Sequence, residues 1–215
     1  MANSRFHHEE IYRGKDLQVK LATKHVTVCG VGALGSNLVD TLVRQSFKNL
    51  RVIDKDRVEP HNIGTQIWMD ADVGAFKTEA LKNRMFRTTG VEIESVSKEL
   101  TASTAKNLLK KTDLVLDMFD NSASRALVQN ECRARKIPCL HAGLFEDYGE
   151  IIWDGAYTVP KDVAGDVCDY PLARNLIVIA SAVAAEEVLS FCLDAKPRMG
   201  NWTITLRDLT VRRQK

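Results

Sequence analysis

The sequence predicts an α/β fold, a Rossmann-like, doubly wound and mostly parallel sheet with an N-terminal helical arm and short C-terminal antiparallel strands. Three observations carry this. Strand-like runs alternate with segments of helical period, the order expected of strands joined by crossover helices. The stretch HVTVCGVGALGSNLVDTLVRQSFKNLRVIDKD, from His25 to Asp56, reads as strand, glycine turn, helix and strand. Runs at 202–206 and 210–213 read as a terminal strand pair.

The elements follow in order. Residues 8–24 read as a helix with Ile11, Leu17 and Leu21 on its apolar side. A β-branched strand at 25–29, a helix to about residue 46 and a strand at 49–53 come next. KDRVEPHNIGTQIWMDADVG, residues 55–74, is rich in turn formers and contains Pro60. It reads as a long loop across the carboxyl end of the sheet, where ligands sit in open α/β folds. Residues 74–88 return to helix with Leu81, Met85 and Phe86 inward, followed by a strand at 91–96 and a short helix at 102–111. DLVLDMF, residues 113–119, is a buried-type strand with an acid near each end, before a helix at 122–136 and a strand at 138–144. Another strand is under way at 150–153, 158–170 form an irregular crossing segment, and an alanine-rich helix spans 173–193.

Composition sets the frame. A chain of 215 residues, 45% hydrophobic and 27% charged, fits one domain with a large core. It divides into an arm (1–24), a nucleotide-binding part (25–157) and a final part (158–215). A formal charge of +2 points to neither nucleic acid nor a membrane as partner. MANSRFHHEE is too polar for a signal peptide, and no apolar run reads as long enough to span a bilayer. Five cysteines, an odd count with no C-x-x-C pair, suit a reducing cytoplasm and supply no structural zinc site.

Gly30, Gly32 and Gly35 stand in G-x-G-x-x-G spacing. The first allows the tight turn, the second lets a phosphate approach the backbone, and the third lets helix and strand pack closely. The helix head, with Ala33 and Leu34 in its first turn, offers unpaired N–H groups and partial positive charge to that phosphate. Asp54, 19 residues after Gly35, ends the second strand where an acid accepts hydrogen bonds from ribose hydroxyls. Together these predict an adenine nucleotide.

The stretch Asp117-Met118-Phe119-Asp120-Asn121 ends a buried strand close to that turn. Two acids facing phosphates repel them unless a cation intervenes. Mg²⁺ reverses the sign, because carboxylates and phosphate oxygens hold it together, and Asp120 is its natural ligand beside ATP. Lys77 and Arg125, expected on the same rim, would neutralise the remaining phosphate charge. These features favour ATP chemistry over hydride transfer. The competing reading is that Asp120 and Asn121 cap the following helix, and the two roles are compatible.

The turn GVGALGS, the D-x-D-x-V of Asp54, Asp56 and Val58, then Asn62, Gln66, Lys77, and D-x-x-D-N followed by Arg125 resemble the adenylation domain of the ThiF/MoeB family and of ubiquitin-activating enzymes, over residues 25–190. The resemblance implies ATP- and Mg²⁺-dependent adenylation of the C-terminal carboxylate of a ubiquitin-like or sulfur-carrier β-grasp protein ending in Gly-Gly. It implies that Asp54 binds ribose, that Asn62, Gln66 and Lys77 contact the triphosphate, that Asp120 holds Mg²⁺, and that the glycine turn receives the phosphates. Homodimers or heterodimers with another such chain, and a conjugating enzyme as a further partner, belong to the same expectation.

The sequence departs from that pattern in two places. Thr65 stands where the family pattern N-x-x-R-Q has a phosphate-binding arginine, and His8 stands where the N-terminal arm has the arginine that reaches into a partner's site. Arg5 or Arg13 is a candidate substitute that the sequence does not place, since threonine cannot replace a forked permanent charge and a neutral histidine replaces it only poorly. The family's zinc-binding C-x-x-C pairs are absent, and no zinc is expected. Cys168, in GDVCDYPLARN, lies where many relatives carry the cysteine that accepts the activated carboxyl group, although Asp166 and Asp169 beside it disfavour a thiolate. It is either that acceptor or a loop residue without chemistry. Cys29, Cys132, Cys139 and Cys192 read as buried hydrophobes. His7 and His8 read as a solvated arm, His61 as a turn residue or substrate contact, His141 as a buried strand residue, and Arg212, Arg213 and Lys215 as a basic tail. The alternatives to an active adenylating enzyme are a degenerate subunit completing a partner's site, adenylation of a short peptide or other non-protein substrate, and an NAD-dependent oxidoreductase, for which no catalytic set is found.

Overall fold

A computed structural model describes residues 4–161, 171–198 and 200–214. The arm is two helices, α1 (His7–Arg13) and α2 (Lys15–Thr23), where the periodicity alone suggests one. Gly14, at φ 84°, makes the break, a conformation open to glycine and costly to other residues. Leu17 and Leu21 are buried, while Ile11 is 69% exposed, so only the second half of the expected apolar side packs.

The nucleotide unit consists of β1 (His25–Cys29), α3 (Ala33–Arg44) and β2 (Asn49–Ile53). The long loop contains two 3-10 turns, Pro60–Asn62 and Asp70–Asp72. Next come α4 (Lys77–Thr89), β3 (Glu94–Val96), the single turn α5 (Ala105–Leu108), β4 (Leu114–Asp117) and α6 (Ser122–Arg135). The chain continues with β5 (Cys139–Phe145), β6 (Tyr148–Trp153), α7 (Arg174–Asp194), β7 (Asn201–Thr205) and β8 (Thr210–Gln214). Phe86 is not inward as expected. It is 58% exposed, because one residue past Met85 turns the side chain about 100° away from the buried Leu81–Met85 stripe.

These strands form one sheet in the order β3-β2-β1-β4-β5-β6-β7-β8. The run from β3 to β5 is parallel, and the pairings from β5 through β8 are antiparallel. Strand alternation feeds two layers. Leu114 and Leu116 of β4 face the larger core, built with α2, α3, α4 and α7, while Val115 faces the smaller one with Cys29, Val128, Cys132 and Cys139. On α3, Leu38, Val39, Leu42 and Val43 are fully buried, each stabilising the packed state by about 1.5–3 kcal/mol.

By length and composition α7 could cross a bilayer, which corrects the expectation that no apolar run is long enough. In this fold 67% of its apolar window is buried, and it serves as the core helix beside α3 and β6. Its Glu187, 3% exposed, accepts hydrogen bonds from Trp153 Nε1 at 2.9 Å and Trp202 Nε1 at 2.8 Å, pinning the helix to two strands.

Candidate functional site

The strand order reverses between β1 and β4, so the loops leaving their carboxyl ends diverge and open a crevice. Two glycines close its floor. Gly30 has φ 87°, and a Cβ there would lie 2.9 Å from the Met118 carbonyl oxygen. A Cβ on Gly35 would lie 2.0 Å from the Gly30 carbonyl oxygen. The turn, the head of α3 and the segment after β4 are therefore in direct contact. Gly32, the N-cap residue of α3, is different: a Cβ there would meet nothing within 4 Å. The head of α3 is open, with the N–H groups of its first turn, including Ala33 and Leu34, lacking helical acceptors. This is a cradle suited to phosphate.

Asp54, 7% exposed, holds the turn together. Its Oδ2 accepts from the Val31 N–H and its Oδ1 from the Asp56 N–H, both at 2.8 Å. Burial pushes its carboxyl up, against the pull of Lys77. Each oxygen keeps acceptor capacity for a hydroxyl donor. The Lys77 side chain, 11% exposed, places Nζ 3.4 Å from Asp56 Oδ2. Asn62 Oδ1 accepts from the Glu59 N–H at 3.0 Å, and Gln66 Oε1 accepts from Trp68 Nε1 at 2.6 Å. With those oxygens committed to shaping the loop, both amides offer a ligand donors, the polarity phosphate requires.

Past β4 the acids separate. Asp117 is wholly buried, with Oδ2 2.8 Å from His141 Nδ1. Asn121 alone caps α6, its Oδ1 accepting from the Ser124 N–H at 2.9 Å. Asp120 takes no part in that cap. It is exposed, and its carboxylate accepts only from the Asn121 amide at 3.3 Å among the described residues. Among those residues no three His, Cys, Asp or Glu side chains cluster to hold a metal, so Mg²⁺ at Asp120 would need phosphate oxygens as its other ligands.

The placement of Arg125 beside Lys77 on the rim is corrected. Its guanidinium is turned inward, donating to the Ala142 carbonyl at 2.8 Å and the Tyr157 hydroxyl at 3.1 Å, 3.8 Å from Asp117 Oδ2. A wholly buried carboxylate needs compensating charge, and the Arg125 guanidinium supplies it, with His141 as a hydrogen-bonding partner. His141 also lies 3.3 Å from Asp154 and stacks on Tyr157 at 3.7 Å, a network that motif reading missed.

Thr65 brings its backbone rather than its hydroxyl to the site. Its carbonyl accepts from Arg174 Nη1 at 2.8 Å and from Asn37 Nδ2 at 3.3 Å. Neither Arg174 nor Asn37 belongs to a motif, and nothing in the sequence signals them. Arg5 donates to the Thr89 carbonyl at 2.5 Å, Arg13 pairs with Glu9 and Glu186, and His8 is exposed. Among the described residues none of the three hydrogen-bonds to a residue of the crevice. Cys168 lies outside the described residues. Cys29, Cys132, Cys139 and Cys192 are buried, and burial pushes the Cys192 thiol up to about 11, which leaves it inert at neutral pH.

A family model described as the ThiF family matches residues 7–159. Among curated proteins, the chain is 30% identical over 139 residues to the SAMP-activating enzyme E1 of Haloferax volcanii, covering 64% of this chain and 52% of that one. It is 28% identical over 151 residues to the sulfur carrier protein adenylyltransferase of Thermus thermophilus, covering 68% and 56%. It is 30% identical over 151 residues to the molybdopterin-synthase adenylyltransferase of Escherichia coli, covering 68% and 61%. The chain thus spans little more than half the length of these relatives. Among solved structures, E. coli MccB with ATP superposes with TM-score 0.82 at 17% identity, over 99% of this chain and 72% of that one. The E. coli tRNA threonylcarbamoyladenosine dehydratase TcdA with AMP gives 0.76 at 17%, over 89% and 94%. These likenesses establish the fold.

Proposed function

The chain belongs to the ThiF family, and from that premise we propose that it is an adenylyltransferase, activating the C-terminal carboxylate of a ubiquitin-like or sulfur-carrier protein with ATP. One observation carries the reading: an open glycine cradle lies at the strand-order reversal, and the segment after β4, which carries the exposed Asp120, packs against its turn. Three adenylyltransferase or activating-enzyme relatives at 28–30% identity support the substrate class.

In this reading a carboxylate oxygen of the substrate attacks the α-phosphorus. The bond from that phosphorus to the bridging oxygen breaks, and pyrophosphate leaves with the electron pair. No proton moves, so the chain needs no general base and supplies position and charge instead. The head of α3 receives phosphate oxygens, Lys77 offsets their charge, Asn62 and Gln66 donate to them, and Asp54 accepts from ribose. Asp120 would hold Mg²⁺, which would neutralise charge on the phosphates. Cys168 is the candidate acceptor of the activated group, and a second chain in a dimer would bring the arm arginines to the site. A second reading, a subunit that completes a partner's site without activity of its own, is favoured by Thr65 carrying no charge and by the inward turn of Arg125.

ATP–pyrophosphate exchange with Mg²⁺ and a panel of Gly-Gly-ending β-grasp proteins tests this. Exchange is expected to fall by about two orders of magnitude in Asp120→Ala and to survive Cys168→Ala. ATP binding without exchange for any substrate would move the assignment to the second reading.

A further inference from the structure

Phosphate chemistry needs more cation than the crevice motifs supply. Lys77 is partly spent on Asp56, 3.4 Å away, and Arg125 serves the interior. Lys55, on the neighbouring loop, pairs with Glu99 at 2.7 Å. One guanidinium is held differently. Arg174, the first residue of α7, donates through Nη1 to Asn37 Oδ1 and to the Thr65 carbonyl, both at 2.8 Å. Asn37 is in turn fixed to the first turn of α3, donating to the Ala33 carbonyl at 2.7 Å. The anchoring groups lie 137 and 109 residues away in sequence, so the contact is made by the fold rather than by local chain geometry.

Two physical features separate this arginine from a structural latch. Both acceptors are neutral, and no carboxylate pairs with it among the described residues, so its full charge stays available on an exposed side chain. It also sits where a cation is disfavoured, at the N-terminus of α7, with no acid in that helix's first turn, and beside the first turns of α3. A bound polyanion at the head of α3 would relieve that opposition.

Resting on the proposed nucleotide site, we infer that Arg174 is a phosphate-binding residue of that site, supplying from α7 the forked charge that Thr65 does not carry. One face of the guanidinium is tied to Asn37 and Thr65. Nε and Nη2 make no hydrogen bond among the described residues and are the groups that would meet phosphate oxygens.

The test compares Mg-ATP with adenosine, which lacks phosphate, by calorimetric titration and competition on the wild-type chain, Arg174→Ala, Arg174→Lys and the double variant Arg174→Ala with Thr65→Arg. Arg174→Ala is expected to weaken ATP at least about tenfold and adenosine less than about twofold. Lysine should retain part of the ATP affinity, and an arginine at 65 should restore it. An unchanged ATP affinity in Arg174→Ala, or equal losses for ATP and adenosine, overturns the inference and leaves Arg174 as a strut for the loop. A wild-type chain that binds no ATP overturns the proposed function itself, and this inference with it.

Discussion

Gly35→Ala tests the crevice floor most directly. The added Cβ would lie 2.0 Å from the Gly30 carbonyl oxygen and 2.9 Å from its carbon. Both atoms are backbone and cannot rotate away. Reaching an ordinary carbon–oxygen contact requires the turn and α3 to part by more than about 1 Å, against a close-packed interior. Overpacking of that kind costs about 1–3 kcal/mol, and more where backbone must move. Alanine in place of glycine inside a helix returns about 1 kcal/mol. Because the overlap is with fixed backbone, the cost lies at or above the upper end of that range, and a net loss of at least about 2 kcal/mol is expected, a fall in Tm of at least roughly 4–8 °C for a chain of this size. Gly32→Ala is the control, since its Cβ meets nothing within 4 Å. It should lose far less stability, while a methyl group in the cradle weakens Mg-ATP at least about tenfold. Calorimetric unfolding and nucleotide titration on both variants decide the matter. A Gly35→Ala chain as stable as wild type would refute the close approach on which the cradle depends.

Glu187→Ala strands two indole N–H groups, and urea unfolding should show a loss of about 2–5 kcal/mol, with Glu187→Gln falling between that variant and wild type. A second prediction concerns acid. Burial alone pushes the Asp154 carboxyl up, but hydrogen bonds from Arg133 and Gln129, with His141 nearby, outweigh it and hold the carboxyl below its ordinary value. Its stabilisation is therefore complete above the unfolded value of 3.8 and is lost as pH falls through the lower folded value. Asp154→Asn should be less stable than wild type at neutral pH, and Tm measured against pH should fall less steeply for it below about pH 4.

The parallel core of the fold was legible because each strand there carries its own signal. β1 is β-branched, β2 runs directly into Asp54, and β4 is an apolar run that follows Asp113 and ends on Asp117. The break at Gly14 was not, since periodicity in Ile11, Leu17 and Leu21 survives a change of helix axis. Phe86 misled for a related reason, an apolar residue one step off a two-residue stripe. Asn37 and Arg174 were invisible because their meeting point depends on α7 packing along α3, a long-range fact no local spacing encodes.

Arg125 is the instructive case, because the sequence held the information that corrects it. On α6 it shares a stripe with Val128 and Cys132, at i, i+3 and i+7, and such a stripe faces the sheet. On β4, Asp117 is two residues after Val115 and so points to the same side, toward that helix. The parallel register then sets Asp117 opposite His141 of β5. A carboxylate on the buried face of a central strand must find a cation, and the arginine on the facing helix stripe is within reach of it. The D-x-x-D-N motif with its arginine thus divides: Asp117 and Arg125 belong to the interior, and Asp120 is exposed. If the proposed nucleotide binds, the inward turn of Arg125 leaves its phosphates short of positive charge, and that shortfall is the ground for assigning Arg174 to them.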